Sequence, residues 1–485
     1  MLLPILFERS QPPHSTGNDC RSGSIPDDCK APIDPPPREY GVIGQLRPHP
    51  LLQMLELDAE HAVAFVPSYS RVAVLGRAAL ALLARLPLGA NAPDLATLEA
   101  LETLQQLGLV TAGDGSLPAP ADSHTLVAWL HVTNACNLRC RYCYLDKTNE
   151  VMSEATARAA IDAVFRSALA YGYRAILLKY AGGEATLALP LVASMHAYAQ
   201  EQAARYGLEL QAGLLSNGTL LTPARLATIR ALGLQLMISL DGLSASNDAQ
   251  RPAIGGQATA AAVQQGIEQA VAAGVTPNIA ITVTSQSVAG LPELIGWLLE
   301  RDLRFTLSFY RENDCSSSYT QLQLDEARII EGMRVAYATV ARNPPRWSVL
   351  DALLDRADLS APHSHACAAG RNYLVIDHYG RVSKCQMLLH QPVATVADTN
   401  PLALLRADPI GLQHVPVDQK AGCRTCEWRY WCAGGCAVAT YRATGRYDVQ
   451  SPNCAIYQAL YPELLRLEGQ RLLHWFTHAQ AAVAS

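Results

Sequence analysis

The segment Cys136-Asn-Leu-Arg-Cys140-Arg-Tyr-Cys143 decides how the fold of this 485-residue chain is predicted. It places three cysteines within eight residues, directly after a strand-like run at 126–132. Thiolates spaced in this way can hold three corners of one iron–sulfur cube and leave the fourth iron without a protein ligand. The alternative is a zinc knuckle with His131 as fourth ligand, but structural zinc sites prefer ligands in closely spaced pairs.

The other cysteines also indicate metal ligation. No signal peptide precedes them and no apolar run is long enough for a membrane span, so we expect a cytoplasmic chain. In a reducing compartment, an odd total of thirteen cysteines favours metal binding over disulfides. Seven of them form a second group, which exceeds the four that one zinc ribbon needs: Cys367, Cys385, Cys423, Cys426, Cys432, Cys436 and Cys454. Cys20 and Cys29 are expected to be passive thiols.

The composition is that of a folded, globular chain, and its charge does not favour polyanionic partners. Hydrophobic residues make up 49% and charged residues 17%, which is the balance of a globular protein. The formal net charge of −5 gives no attraction to nucleic acid or to an anionic membrane. We therefore expect no nucleic acid and no membrane among its partners.

Strand-like and helical segments alternate through the centre of the chain. Six such units from 126 to 309 predict a parallel sheet with helices outside, in which ligands bind at the carboxyl ends of the strands. Three polar motifs follow strands at that end: Gly182-Gly183-Glu184, Ser216-Asn217-Gly218 and Ser239-Leu240-Asp241-Gly242. Each motif alone is a common turn, but their shared position favours one binding site.

Together these motifs resemble radical S-adenosylmethionine (SAM) enzymes with a C-terminal SPASM domain, over about 126–454. The resemblance implies an α/β fold: a partial (β/α)6 TIM-like barrel with an N-terminal winged-helix-like domain and a C-terminal iron–sulfur SPASM domain. The expected domains are an arm that is disordered or extended at 1–40, a winged-helix-like peptide-recognition domain at 41–118, the barrel at 124–312, a linker helix region at 313–362, the SPASM domain at 363–456 and a C-terminal helix at 457–485. Pro462 is expected to interrupt that last helical region.

The resemblance also implies roles for single residues. Cys136, Cys140 and Cys143 would hold a [4Fe–4S] cluster whose open iron binds SAM. The residues implied to contact SAM are Tyr142, Gly182, Gly183, Glu184, Ser216, Asn217, Ser239, Asp241 and Arg251. Asp241 has an alternative role, bracing its own turn. Ala185 stands where the family usually has proline, which loosens the turn but keeps the Glu184 carboxylate.

Two auxiliary [4Fe–4S] clusters are implied as well, which makes three in all. Cys423, Cys426, Cys432 and Cys454 would hold the distal one completely, and Cys367, Cys385 and Cys436 the near one. The near cluster lacks a fourth cysteine beside Cys367. Four candidates remain open for that position: His363, His365, Cys315 or a substrate thiolate. Phe309-Tyr310-Arg311-Glu312, at the end of the sixth strand, either faces substrate or forms a surface ion pair.

The segment before the barrel bears on the substrate. Its strand and helix order resembles the winged-helix domain with which peptide-modifying radical enzymes bind a leader peptide. Residues 41–115 contain four Arg and seven Asp or Glu, a net charge of −3, which disfavours DNA binding. Peptide recognition by strand addition suits this charge better, and a plain packing module is the third possibility.

The predicted function is therefore a maturase that cross-links a ribosomally made peptide by a thioether or carbon–carbon bond. The expected partners are a precursor peptide or protein substrate and an electron donor such as flavodoxin or ferredoxin. The alternatives are a thioether-forming maturase of an enzyme subunit, of the quinohemoprotein amine dehydrogenase type, and an anaerobic sulfatase (formylglycine) maturase. The latter place an aspartate base where this chain has Gln386. A cluster-binding scaffold without catalysis is the non-enzyme alternative.

Overall fold

A computed structural model of the protein describes residues 5–7, 45–67, 71–88, 93–116, 123–355, 359 and 362–484. Cys20 and Cys29 lie outside these residues, as does most of the predicted N-terminal arm. Side chains are described as far as residue 477.

The N-terminal region is a small sheet with two helices. Its elements are β1 (Ile5–Phe7), β2 (Arg47–Pro48), β3 (Gln53–Glu56), β4 (His61–Phe65), β5 (Ala73–Gly76), α1 (Arg77–Ala84), α2 (Leu95–Gln106) and β6 (Val110–Thr111). Four strands form an antiparallel sheet in the order β1-β5-β4-β3, and β2 pairs with β6. Asp94 starts α2 because its side chain accepts a hydrogen bond from the Thr97 amide. Strand β1 comes from the segment predicted to be an arm.

The centre of the chain alternates parallel strands with helices, as the sequence predicts. The elements are β7 (Thr125–Thr133), α3 (Glu154–Ala170), β8 (Ala175–Gly182), α4 (Leu189–Tyr206), β9 (Glu209–Ser216), α5 (Pro223–Ala231), β10 (Gln235–Ser239), α6 (Ala245–Gln250), α7 (Ala260–Ala272), β11 (Asn278–Val283), α8 (Leu291–Leu299) and β12 (Phe305–Phe309). Buried aliphatic side chains fill the layer between strands and helices. The predicted α/β fold class is confirmed, and the short α6 is an addition that the sequence pattern did not indicate.

The cysteine-rich region continues the same sheet. It comprises α9 (Glu326–Arg342), β13 (Tyr373–Ile376), β14 (Arg381–Ser383), β15 (Ala394–Thr395), α10 (Pro401–Ala407), α11 (Arg429–Cys432), α12 (Ala437–Thr444) and α13 (Cys454–Ala484). Strand β13 pairs in parallel with β7, so one sheet of nine strands runs in the order β12-β11-β10-β9-β8-β7-β13-β14-β15. Hydrogen bonds of the sheet therefore fix the cysteine-rich region against the barrel.

The predicted interruption at Pro462 is wrong, because α13 continues through that residue. A proline inside a helix removes one backbone hydrogen bond and costs about 3 kcal/mol. Its neighbours Tyr461, Leu464 and Leu465 are fully buried, and their packing offsets this cost. Tertiary contacts therefore override the local preference here.

The N-terminal sheet packs directly on the C-terminal part of the chain. The Phe65 ring lies 6.1 Å from the ring of Trp428 and 6.0 Å from that of Trp431. Gly469 of α13 faces the same sheet, and a Cβ atom there would come within 2.3 Å of Val63. The small domain is therefore bound to the segment between Cys426 and Cys432.

Replacing Phe65 tests this interface. Phe65→Ala removes a fully buried ring, and we expect a loss of about 3–5 kcal/mol in the free energy of unfolding. Anaerobic denaturant unfolding, followed by tryptophan fluorescence, measures the loss. Leu95→Ala is the control, since Leu95 is 72% exposed and its truncation should change stability by less than about 0.5 kcal/mol. Equal stabilities of the two variants would contradict the interface.

Candidate active site

A cavity of about 320 Å³ lies at the carboxyl ends of the barrel strands. It collects nearly all the residues that the sequence assigns to the cluster and to SAM. Those that line it are Cys136, Cys140, Tyr142, Cys143, Gly182, Gly183, Glu184, Ser216, Asn217, Ser239 and Arg251. Asp241 is the one member of the predicted set that does not line this cavity.

Two glycines let the end of β8 approach the loop that carries the cysteines. The amide of Gly183 donates to the carbonyl of Thr133 at 2.7 Å, and the amide of Glu184 donates to that of Ala135 at 2.8 Å. A Cβ atom on Gly182 would come within 2.4 Å of the Thr133 oxygen, and one on Gly183 within 2.2 Å of the Ala135 oxygen. Glycine is therefore required at both positions by the close backbone approach.

Glu184 is the central acceptor of the site. Its carboxylate is buried and accepts the Ser216 hydroxyl at 2.8 Å and the Asn217 amide at 2.6 Å. It also accepts the Thr186 hydroxyl at 2.5 Å. These bonds join the end of β8 to the turn after β9, and they fix the orientation of the carboxylate.

The turn after β9 is also tied to the cysteine loop. The Asn217 side chain donates to the side-chain oxygen of Asn137 at 2.8 Å, and the Asn137 side chain in turn donates to the Thr219 hydroxyl at 2.8 Å. Gly218 has a φ of +79°, and a Cβ there would come within 2.7 Å of Ile238. The sequence motif is thus a turn that holds the residue after Cys136.

Asp241 braces the site from outside the cavity, but its carboxylate holds Tyr142 and Thr282 and not its own turn, which was the alternative predicted for it. Its carboxylate accepts the Tyr142 hydroxyl at 2.7 Å and the Thr282 amide at 2.7 Å. Arg251 donates to the Tyr142 hydroxyl and lies 3.9 Å from the Asp241 carboxylate. Burial raises the pKa of the Asp241 carboxyl, while the Arg251 guanidinium acts to lower it. The pair fixes the aromatic ring beside Cys143.

The chemistry of the cavity fits an anionic cluster and ligand. Burial raises the pKa of the Cys140 thiol to about 11, and Arg251 and Lys147 act in the opposite direction. Arg251 lines the cavity, and its buried Nε atom has no hydrogen-bond partner among the described residues. Three thiols and an unsatisfied cationic donor therefore meet in one cavity, as a thiolate-held cluster with an anionic ligand requires.

The zinc alternative finds no support in the geometry. The His131 ring is buried and pairs with the Asn134 side-chain oxygen at 3.3 Å, and burial lowers the pKa of His131 to about 4. His131 is thus engaged within its own loop.

Several cavity residues were not assigned to the site from the sequence. Trp129, Tyr144, Lys147, Thr282, Ser308 and Met387 belong to this group. Phe309, Tyr310 and Arg311 line the cavity too, and the Arg311 guanidinium forms an ion pair at 2.7 Å with Asp355. That pair is mostly buried, so the predicted surface ion pair is wrong. Trp129, Thr282 and Ser308 lie on barrel strands, so the alternation of inward and outward positions could have indicated them. Met387 lies outside the strands, so no such pattern indicates it.

The three near cysteines, Cys367, Cys385 and Cys436, pack in one apolar cluster with the barrel interior. The barrel side chains in that cluster include Val127, Trp129 and Leu177. Gln386 and Met387, which follow Cys385, line the active-site cavity itself. The near cysteines thus border the active site.

The candidates for the fourth near ligand occupy different places. Cys315 lines a separate cavity of about 290 Å³, whereas His365 lines one of about 660 Å³ together with His414. The His414 Nε2 atom lies 3.6 Å from the Cys367 sulfur. His414 was not among the predicted candidates, because a single loop histidine far along the sequence carries no pattern.

The four remaining cysteines, Cys423, Cys426, Cys432 and Cys454, form their own set. Burial raises the pKa of the Cys423 thiol to about 12, and the other three thiolates act in the same direction. Burial likewise raises the pKa of Cys432 and of Cys454. Repulsion among thiolates thus adds to burial in raising the pKa of the Cys423 thiol.

Comparison with known proteins gives a family. Residues 130–296 match the model of the radical SAM superfamily. The chain is 26% identical to the serine-type anaerobic sulfatase-maturating enzyme of Klebsiella aerogenes over 72% of its length and 88% of that protein. It is 29% identical to the Fe-coproporphyrin III synthase of Methanosarcina barkeri over 39% of its length. It is also 29% identical to an uncharacterized protein of Methanocaldococcus jannaschii over 35% of its length. The chain spans only 44% of the synthase and 57% of the Methanocaldococcus protein.

The fold has a similar counterpart among solved structures. The chain matches native anSMEcpe with bound AdoMet and Cp18Cys peptide at a TM-score of 0.59 and 18% identity, over 71% of this chain and 99% of that one. Because nearly all of that chain is covered, the shared fold extends beyond the radical SAM domain.

Gly183 offers a direct test of the site. In Gly183→Ala the new methyl group overlaps the Ala135 carbonyl and displaces the cysteine loop, so we expect SAM affinity to fall roughly tenfold or more. Calorimetry on anaerobically reconstituted protein measures it, with iron content as a second readout. The control is Gly296→Ala, where the nearest atom to the new Cβ would be 3.7 Å away. An affinity equal to that of the control would refute the proposed loop geometry.

Among the described helices, none combines the length and apolar character that a membrane crossing requires. The family match covers the cysteine loop from residue 130 onward, and the fold match covers 71% of the chain, which is more than the radical SAM domain alone. The cavity supplies the three thiols and the polar side chains that such enzymes direct at their cofactors. The chain therefore carries a radical SAM domain at residues 130–296, and this superfamily uses a [4Fe–4S] cluster and S-adenosylmethionine.

Proposed function

We propose that this enzyme is a maturase that installs an intramolecular cross-link, a thioether or a carbon–carbon bond, in a ribosomally synthesised peptide. When bound, the cluster and SAM supply a 5′-deoxyadenosyl radical able to remove hydrogen from an unactivated carbon. The residues of this chain bind and orient the reactants and exclude water around them. We also propose that an electron donor such as flavodoxin or ferredoxin reduces the cluster.

The proposed SAM contacts follow from the free bonding capacity in the cavity. The Oε2 atom of Glu184 accepts only the Asn217 amide among the described residues, so it keeps capacity for the amino group of SAM. The unpartnered Nε donor of Arg251 is proposed for the SAM carboxylate. Ser239 lines the wall at the end of β10. Asp241 acts as a positioning residue through Tyr142 and does not touch SAM.

The observation that carries the cross-linking proposal is the absence of a second carboxylate in the cavity. Among the described residues that line it, Glu184 is the only Asp or Glu, and its oxygens already accept four hydrogen bonds. Gln386 stands where sulfatase maturases are expected to have an aspartate base, and it accepts the Tyr373 hydroxyl at 2.8 Å. An amide cannot take a proton from a substrate side chain.

The two auxiliary [4Fe–4S] clusters of the proposal are supported by how the cysteines are grouped. Cys367, Cys385 and Cys436 share one apolar cluster, whereas Cys423, Cys426, Cys432 and Cys454 form a separate group. The first set provides three thiolates and leaves one position for His414 or a substrate thiolate. A substrate thiolate held there would need no protein base.

The N-terminal sheet is the proposed site of leader-peptide recognition. Strand β3 is one of the two edge strands of this sheet, and it pairs only with β4 among the described strands. The exposed Met54 lies on this edge. An extended leader peptide could add to β3 through main-chain hydrogen bonds, as peptides do at other free sheet edges.

A formylglycine maturase is the second candidate. It is favoured by the similarity to the Klebsiella aerogenes sulfatase-maturating enzyme, which extends over 72% of this chain. A thioether maturase of an enzyme subunit would use the same cavity on a larger polypeptide. The scaffold alternative is set aside, because the chain is a radical SAM enzyme.

Product analysis of a precursor peptide encoded beside this protein separates the candidates. We expect anaerobic incubation with SAM and reductant to remove two hydrogen atoms per event and to create a linkage that resists fragmentation between the joined residues. Serine oxidation also removes two hydrogen atoms, so a hydrazide probe for aldehydes must accompany mass spectrometry. Cys143→Ala is the control and should leave the peptide unchanged. A hydrazide-reactive product without a linkage would replace cross-linking by formylglycine formation.

Leader recognition is tested at the edge of β3. Met54→Asp places a charge on the edge where the leader would add, and we expect roughly tenfold weaker binding of the full precursor. Fluorescence anisotropy of a labelled precursor measures the change. Ile410→Asp provides the matched control, since Ile410 is 90% exposed in the SPASM domain. Parallel losses in both variants would argue against a binding site at β3.

A further inference from the structure

Lys420 is a buried lysine in the SPASM domain, with only 1% of its surface exposed. Its carbonyl accepts the amides of Cys423 and Arg424, so it starts the turn that carries the distal cysteines. Its side chain crosses to the loop between Cys432 and Cys436. A Cβ atom on Gly434 would lie 2.6 Å from its Cδ and 2.8 Å from its Nζ, so the glycine makes room for the lysine.

The Lys420 ammonium has an unusual set of partners. Its Nζ atom reaches only the Gly434 carbonyl, at 3.5 Å, and no described carboxylate forms an ion pair with it. Lys384, which is buried in the same domain, instead pairs with Asp408 at 2.9 Å. A buried cation without a counter-charge is strongly destabilising, so the partners of Lys420 must be other anions.

The cysteines around Lys420 come from both sets, because its Nζ atom lies at Gly434, between Cys432 and Cys436 in the chain, and its carbonyl accepts the Cys423 amide. Burial lowers the pKa of the Lys420 ammonium, and four thiolates oppose this by raising it. Two of them, Cys423 and Cys432, belong to the distal set, and the other two, Cys367 and Cys436, belong to the near set. Lys420 therefore lies between the two groups of ligands.

We infer that Lys420 is a shared counter-charge for two auxiliary clusters and raises the reduction potential of both. The inference rests on the proposed cofactor set. Reduction adds one negative charge to a thiolate-held cluster, and a fixed cation in a dry interior stabilises that charge. Lys420 thus acts on the clusters through its charge, and it makes no contact with SAM or with substrate.

Neutral and charged replacements of Lys420 test the inference on the full, anaerobically reconstituted chain. The neutral variants are Lys420→Met and Lys420→Gln, and Lys420→Arg keeps the charge. Iron content is measured first, followed by a redox titration monitored by electron paramagnetic resonance. In both neutral variants we expect the midpoint potentials of both auxiliary clusters to shift to more negative values. The arginine variant should keep potentials near those of the parent chain.

The possible outcomes separate the inference from the proposed function. Unchanged potentials in neutral variants with full iron would overturn it, as would a shift of one cluster alone or a loss of iron in all three variants alike. Iron lost only from the neutral variants would support it, because thiolates then need the cation to assemble. A parent chain with iron for a single cluster would instead remove the proposed cofactor set.

Discussion

The whole site depends on how closely the ends of β7 and β8 approach each other. The backbone bonds from Gly183 to Thr133 and from Glu184 to Ala135 fix the point at which the cysteine loop leaves the sheet. Both donors are constrained, for different reasons. Gly183 has no room for a Cβ atom, and Glu184 must keep its carboxylate in the cavity. One backbone contact therefore sets the position of both the thiols and the acceptor that faces them.

The second constraint is the pairing of β13 with β7. Because Tyr373 to Ile376 align with Val127 to Leu130, the cysteine-rich region begins as a further strand of the barrel sheet. Cys385 and Gln386 then follow the adjacent strand β14 and come to lie against the barrel interior. Hydrogen bonds of the sheet therefore fix the distance between the Cys136–Cys143 loop and the near cysteines more firmly than a flexible linker would.

The alternation of strands and helices, the three polar motifs and the grouping of cysteines could all be read from the sequence, because each depends on local spacing. The parallel pairing of β13 with β7 could not, since it joins residues about 250 positions apart and no periodicity records it. His414 and Lys420 were missed for the same reason: each reaches its cysteines through the fold. Proline disfavours the interior of a helix, but at Pro462 the packing of Tyr461 and Leu464 outweighs this local preference.

Burying the proposed anionic clusters in a dry interior would create a charge problem, and this fold places a buried cation at each of the two proposed regions. At the first site, the Arg251 guanidinium lies beside Cys140 and keeps one donor available, because Tyr142 and Asp241 occupy only part of its bonding capacity. At the auxiliary sites, Lys420 provides a compact charge without directional demands. The difference suits the chemistry: a planar guanidinium can orient a carboxylate, whereas an ammonium can serve several thiolates at once. In the proposed scheme, Arg251 would meet the need for positive charge while binding ligand, whereas Lys420 would meet it by its electrostatic potential alone.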